Sequence, residues 1–212
     1  EPWYPGDTIN SSIGQGYMWA TPLQLATAVS IIANKGKVVQ PRMLKEIEGQ
    51  AFQGDIKNAV PDVMLNDPDY WRFMEEAMTM VVHRPYSDTF RDYGTAYEAI
   101  AMADRDMSYK MAGKSGSAQV VGISQEIFHS TDIIVSDLNK DHGLFIAFAP
   151  TENIQISPQI AVAVFVENGE YGSSVAGPIA KQVIDTYLLD ILQIDFAAME
   201  AATDSLISQV DD

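Results

Sequence analysis

The segment QIAVAVFVEN, residues 159–168, constrains the fold more than any other in this sequence. Ile160, Val162, Val164 and Val166 alternate with Ala161, Ala163 and Phe165, which is the period-2 pattern of a β-strand rich in β-branched residues. Two further runs have strand character: YKMAGKSGSAQVVG from Tyr109 and GLFIAFAP from Gly143. The polar stretch TENIQISP between the last two runs has the length and composition of a hairpin connection, so these strands should be antiparallel neighbours. Residues 123–142 are polar and read as a long excursion between the first two strands.

Helical signals surround this strand group. In TPLQLATAVSIIANKG, Thr21 is a good N-cap, Pro22 suits the first helical position, Gln24 completes a capping box and Gly36 stops the helix. Leu23, Ala26 and Ile31 are its expected buried side. A second helix is expected from Asp67-Pro68, because Trp71, Met74, Met78 and Val81 recur at helical spacing until His83 to Pro85 breaks the pattern. Between these helices VVQPRMLKEIEG reads as a strand pair or extended arm. Before them, the Pro-, Gly- and Ser-rich opening to Tyr17 reads as loop with a short strand at most. Pro85 to Arg105 is turn-rich, with a short helix expected over Tyr97–Met102. VAGPIAKQVIDTYLLDILQ reads as an amphipathic helix with Ile179, Val183, Thr186 or Tyr187, and Ile191 on its apolar face. The order helix, helix, antiparallel strands, helix predicts an α+β layer rather than repeated βαβ units. Residues 1–194 are read as one unit and 195–212 as an acidic tail or weak helix.

Charge and composition narrow the functional classes. With 29 acidic and 13 basic residues the formal charge is −16, which argues against nucleic acid as a partner, since phosphate binding needs clustered Lys and Arg. The absence of cysteine removes disulfides, thiolate metal sites and cysteine nucleophiles, yet leaves the compartment open. His83, His129 and His142, with Asp132, Asp137 and Asp141, match no compact ligand spacing, so no metal and no cofactor is expected. Tyr17, Met18 and Trp19 could line a groove after the Gly-Gln-Gly turn, although aromatic residues entering a helix are more often core.

The tract Lys114-Ser115-Gly116-Ser117 could hold a phosphate, hold a carboxylate or form a glycine-bulged edge strand. A phosphate loop would need glycine five positions before Gly113, where Ser108 stands, and would have to enter a helix, whereas AQVVG is strand-like. An isolated Lys-Ser-Gly occurs by chance, and the edge-strand reading is then favoured. A second segment changes the balance. PWYPGDTINSSIGQGYMWATPLQLATAVSIIANKGKVVQP is followed in order by Arg84-Pro85, Gly94-Thr95-Ala96, AGKSGSAQV, Ala147 to Pro150 (AFAP) and Val166 to Gly169 (VENG).

This ordered set resembles class B penicillin-binding proteins, in particular the peptidoglycan D,D-transpeptidases among them that serve cell elongation, over nearly the whole chain. The resemblance implies the C-terminal part of a transpeptidase domain of the penicillin-binding-protein/serine β-lactamase-like fold, an antiparallel sheet flanked by helices. It implies catalytic roles for Lys114 and Ser117, and substrate binding by Ser115, Gly116 and Ser117. Lys114 would supply positive charge and assist proton movement. The hydroxyls of Ser115 and Ser117 would bind a carboxylate, and the Ser117 N–H would be an oxyanion donor. Such proteins acylate a serine with the penultimate D-Ala of a stem peptide, release the terminal D-Ala and pass the acyl group to an amine; β-lactams trap the acyl-enzyme. The implied partners are the D-Ala-D-Ala stem peptide, β-lactam antibiotics and a glycan-strand polymerase of the elongation machinery. The implied location is the periplasmic face of the bacterial inner membrane, held by an N-terminal anchor in a longer parent protein.

That mechanism also needs a Ser-x-x-Lys and a Ser-x-Asn or Ser-x-Asp. No serine in this sequence has Lys three positions later, and none has Asn two positions later. Ser130-Thr131-Asp132 fits the second pattern formally but follows Lys114, whereas the family places that motif before the Lys-Ser/Thr-Gly element. The expectation is a chain that supplies one wall of the site, lacks the nucleophile and is inactive alone. The alternative is a non-catalytic binding or scaffold protein with a degenerate penicillin-binding fold. Ser117 stands where the family commonly has Thr, which keeps the hydroxyl and loses a methyl. The strand at 159–167 is expected to leave an apolar edge open to another chain.

Overall fold

The computed structural model describes residues 2–44, 46–51, 60–89, 92–120, 137–152 and 155–208. Three antiparallel strands form its centre: β3 (Lys110–Ala118), β4 (His142–Thr151) and β5 (Ile160–Val166), in the order β3-β4-β5. All three strands read from the sequence are therefore present, with the hairpin between the last two. The register pairs Ser117 with Gly143, Lys114 with Ile146 and Leu144 with Phe165, and it slips between Lys110 and Ala112. Among the described residues no strand covers the outer edge of β3 or of β5.

Helices cover both faces. On one lie α2 (Pro22–Ala33) and α3 (Asp69–His83), where Val29 and Ala33 meet Ala112 and Phe148. On the other lies α4 (Gly177–Asp185), whose Ala180 and Ile184 join Met111, Phe145, Ala147 and Ala149 in the larger core. Phe145 and Phe148 are fully buried on opposite faces, each contributing about 1.5–3 kcal/mol of hydrophobic stabilisation.

The capping box at α2 forms as expected: the Thr21 hydroxyl accepts from the Gln24 N–H at 3.2 Å and the Gln24 carboxamide accepts from the Thr21 N–H at 2.8 Å. Gly36, at φ +95°, follows the helix end. The buried side of α2 is nevertheless rotated from the expected one, because Val29 and Ala33 are buried while Leu23 is exposed. The expected arm contains a minimal hairpin of β1 (Glu46–Ile47) and β2 (Gln50–Ala51), turned by Glu48 and Gly49, both at positive φ.

Three expectations are corrected. The opening segment is not loop or strand but a helix, α1 (Pro5–Ser12), because Pro5 fits its first turn and the Asp7 carboxylate accepts the Tyr4 N–H at 2.8 Å. Tyr97–Met102 forms consecutive turns rather than a continuous helix. The third helix buries Ala176, Ala180, Ile184 and Leu188, leaving Ile179, Val183 and Ile191 at 42%, 46% and 64% exposure. Small residues line the buried side of this helix, and a Cβ on Gly177 would lie 3.2 Å from the Ile100 side chain, tighter than ordinary contact. π-helical turns at Gly172–Ala176 and Thr186–Ile191 flank α4 and shift the face that a 3.6-residue period predicts.

The acidic end forms α5 (Phe196–Ser208), with Phe196 buried against the core. Gln155 ties it down through the Met199 carbonyl at 2.7 Å and the Thr203 hydroxyl. Most of the predicted excursion at 123–142, including Ser130-Thr131-Asp132 and His129, lies outside the described residues.

Candidate active site

The tract Lys114–Ser117 lies in the second half of β3, where burial gives way to exposure. Met111, Ala112 and Gly113 are buried, whereas Lys114, Gly116 and Ser117 are exposed and Ser115 is half-buried. Gly113 is required by packing, since a Cβ there would sit 2.6 Å from the Phe145 ring. Lys114 donates from Nζ to the Ser115 carbonyl at 2.6 Å, and the Ser117 hydroxyl donates to the Glu170 carbonyl at 3.0 Å. The Ser117 carbonyl accepts from Gln15 Nε2 at 3.0 Å. Two carbonyls of alternate residues, 115 and 117, thus receive side-chain donors on the open side of the strand.

Neighbouring elements fix these contacts. Glu170, at φ +57°, is held by its N–H bond to the Asp141 carbonyl at 2.8 Å. A Cβ on Gly172 would collide with the Leu144 and Gly116 carbonyls, so the start of the π-helical turn can lie against β3 and β4 only as glycine. Gln15 sits between Gly14 and Gly16, both at positive φ, just after α1.

The structure brings Gln15 and Glu170 to the four predicted site residues, and sequence reasoning identified neither as a site contact. The Gly-Gln-Gly bracket was the available signal for Gln15; no local signal marks Glu170, which contributes a main-chain carbonyl. Tyr17, Met18 and Trp19 are exposed rather than core, Trp19 at 90%, and Tyr17 lies against Trp3 with ring centroids 5.7 Å apart. His83 and His142 are engaged separately: His83 Nε2 accepts the Met111 N–H at 3.1 Å, and His142 Nδ1 accepts the Asn168 N–H at 2.9 Å. Burial, helped by the nearby Lys110 ammonium, holds His83 below its ordinary pKa.

A cleft of about 620 Å³ opens at the other end of β3, lined among others by His83, Tyr109, Lys110, Glu152 and Phe196. None of residues 114–117 lines it. Beside it Lys181 bonds Asp185 at 2.6 Å and Asp104 at 2.7 Å. Burial pulls the Lys181 pKa down, but these two carboxylates outweigh it and leave the pKa raised.

An antiparallel sheet between helices, with Lys-Ser-Gly-Ser on an outer strand, agrees with the fold of the penicillin binding protein transpeptidase domain, and the chain belongs to that family. The family model for the penicillin binding protein transpeptidase domain matches residues 1–185. The chain is 38% identical over 188 residues to the peptidoglycan D,D-transpeptidase MrdA of Haemophilus influenzae, covering 88% of this chain and 26% of that protein. It is 41% identical over 191 residues to MrdA of Acinetobacter baumannii, covering 88% of this chain and 25% of that one. Among solved structures, Pseudomonas aeruginosa PBP2 in complex with WCK 5153 superposes with a TM-score of 0.68 at 42% identity, over 89% of this chain and 35% of that chain. The chain thus spans about a quarter of the length of the curated relatives it matches.

Proposed function

We propose that this chain forms one wall of the acyl-transfer site of a peptidoglycan D,D-transpeptidase. The observation that carries the reading is the polar tract Lys114–Ser117 on the open edge of an otherwise apolar sheet. Lys114 supplies positive charge beside the reacting serine and helps move its proton. Ser115 and Ser117 offer hydroxyls to the terminal carboxylate of a D-Ala-D-Ala stem peptide, and Gly116 lets the ligand backbone lie against the strand. In an antiparallel strand the N–H and C=O of one residue point the same way, so the Ser117 N–H shares the side on which its carbonyl meets Gln15. That N–H is the oxyanion donor, worth a few kcal/mol to the transition state.

The serine Oγ attacks the penultimate D-Ala carbonyl, the amide bond breaks with the proton passing to the departing D-Ala amine, and an acceptor amine then takes the acyl group. β-Lactams open on the same serine. This sequence supplies no Ser-x-x-Lys, so the nucleophile comes from another part of a longer protein and the 212-residue chain alone is inactive. The longer protein acts at the periplasmic face of the inner membrane, anchored by its own N-terminal segment and working with a glycan-strand polymerase.

Fluorescent-penicillin labelling of this chain and of its N-terminally extended parent protein tests the reading. Labelling of the extended protein alone, lost on Lys114→Ala, is expected. An unlabelled extended protein would overturn the reading.

A further inference from the structure

Every polar group of the tract that has a described contact is engaged within the chain itself. Lys114 is turned onto the Ser115 carbonyl, the Ser117 hydroxyl onto the Glu170 carbonyl, and Gln15 reaches the Ser117 carbonyl from 102 residues away in sequence. The last contact differs in kind from the other two. A carboxamide N–H on an exposed main-chain carbonyl of an open strand has the chemistry of a peptide N–H adding to that edge.

The main chain around Gln15 is pinned. Its N–H donates to the Asn10 carbonyl at 2.9 Å, and the Gly14 N–H donates to the Ser11 carbonyl at 3.1 Å. Gly14 at φ +78° and Gly16 at φ +69° give the tight turn that projects the side chain. The backbone is therefore held at the end of α1, and the side chain, by rotation about its own χ angles, can leave Ser117 without moving the loop.

We propose that Gln15 is a specificity-determining residue of this edge: its carboxamide occupies the Ser117 carbonyl in the empty site and yields it to the N–H of an extended peptide ligand. The inference rests on the reading of β3 as the ligand-binding edge. A ligand that presents an N–H recovers the bond Gln15 gives up, and one without that N–H leaves Gln15 in place on the Ser117 carbonyl. Gln15 thus lowers affinity for ligands that place an amide N–H on the Ser117 carbonyl and leaves those without it untouched, which narrows the preference of this edge for an amide at that position.

The test uses the ¹⁵N-labelled N-terminally extended protein, as wild type, Gln15→Met and Gln15→Ala. Methionine keeps the length of the side chain and lacks the donor. Two probes are titrated: N-acetyl-L-Lys-D-Ala-D-Ala and the analogue with both internal N–H groups replaced by ester oxygens. Binding is read from the Ser115, Gly116 and Ser117 amide signals and the Gln15 side-chain NH₂ pair. The expected result is that both variants bind the amide probe about three- to tenfold more tightly than wild type, as loss of one neutral hydrogen bond implies. Their affinities for the ester should match wild type, and the wild-type Gln15 NH₂ signals should move on amide binding. If the tract signals respond but neither variant binds the amide probe more tightly, the assignment to Gln15 is wrong and the reading of the edge stands. If the tract signals respond to neither probe in any of the three chains, the reading of the edge fails and the inference falls with it.

Discussion

The Tyr109 hydroxyl donates to Asp185 Oδ1 at 2.6 Å, joining the start of β3 to the end of α4 across 76 residues of sequence. Lys181 holds the other oxygen of the same carboxylate at 2.6 Å, so Asp185 is shared between a phenol and an ammonium. Burial, reinforced by the Asp185 bond and charge, pushes the Tyr109 pKa well above its ordinary value of 10.0.

Tyr109→Phe should destabilise the fold by about 1.5–3 kcal/mol, the range for a hydrogen bond to a charged group. An unfolded tyrosine loses its proton near pH 10, while folded Tyr109 keeps it, so the folded state binds more protons above that pH. Stability should therefore fall as pH rises past about 10. Urea titrations between pH 8 and 11 should show this contribution to the slope in the wild type and its loss in Tyr109→Phe.

His83 predicts the opposite slope at acid pH. Its folded pKa lies below the unfolded 6.5, so protonation favours the unfolded chain. The His83 contribution is fully present above about pH 6.5 and is lost as pH falls from there toward the depressed folded value. Gln at this position keeps an acceptor for the Met111 N–H, so a His83→Gln chain should lack this increment of acid sensitivity in otherwise matched thermal melts.

Gly113→Ala should be among the costly small substitutions in the strand, because the added methyl meets the Phe145 ring at 2.6 Å. Overpacking of this kind costs about 1–3 kcal/mol. Pairing it with Phe145→Leu should give less destabilisation than the two single changes summed, a coupling that a double-mutant cycle measures directly.

Lys114→Ala separates folding from chemistry. The side chain is exposed and bonds only its neighbour's carbonyl among the described contacts, so chain stability should change by no more than about 0.5 kcal/mol. In the extended protein the same substitution should slow penicillin acylation by about 10²–10⁴-fold, the usual size of a proton-transfer contribution. A stopped-flow acylation assay and a urea melt report the two effects independently.

β5 presents an outer edge of seven residues without Lys, Glu or Asp, and Phe165 on it is exposed. Such an edge invites pairing with another chain. Sedimentation velocity of the 212-residue chain should show concentration-dependent association, and Phe165→Lys should reduce it; a monomer up to high micromolar concentration would count against the edge as the contact.

The sheet, α2 and α3 were legible because their signals are local: strict alternation in β5, a capping box at Thr21, and Trp71 and Met78 at helical spacing. The burial of α4 was misread because hydrophobicity points to Ile179 and Val183, whereas the face turned to the core carries the small Ala176 and Ala180 beside Ile184 and Leu188. α1 was missed because Gly, Asn and Ser are poor helix formers and a single Asp7 bond to the Tyr4 N–H sets its start. At the candidate site, Lys114 to Ser117 could be picked out from residue type and order. Gln15 was marked only by its flanking glycines, since its contact with the Ser117 carbonyl depends on a loop and a strand meeting after the sheet and α1 have formed.

The register of β3 with β4 has a consequence for how this surface can change over generations. Lys114, Ser115 and Ser117 pair with Ile146, Phe145 and Gly143 through main-chain atoms, so the ladder is indifferent to their side chains. Gly113 and Gly172 are fixed by the ring and carbonyls they touch. Side chains at 114, 115 and 117 can therefore vary with little penalty in folding, while any lineage that alters 113 or 172 must first repair the packing around them.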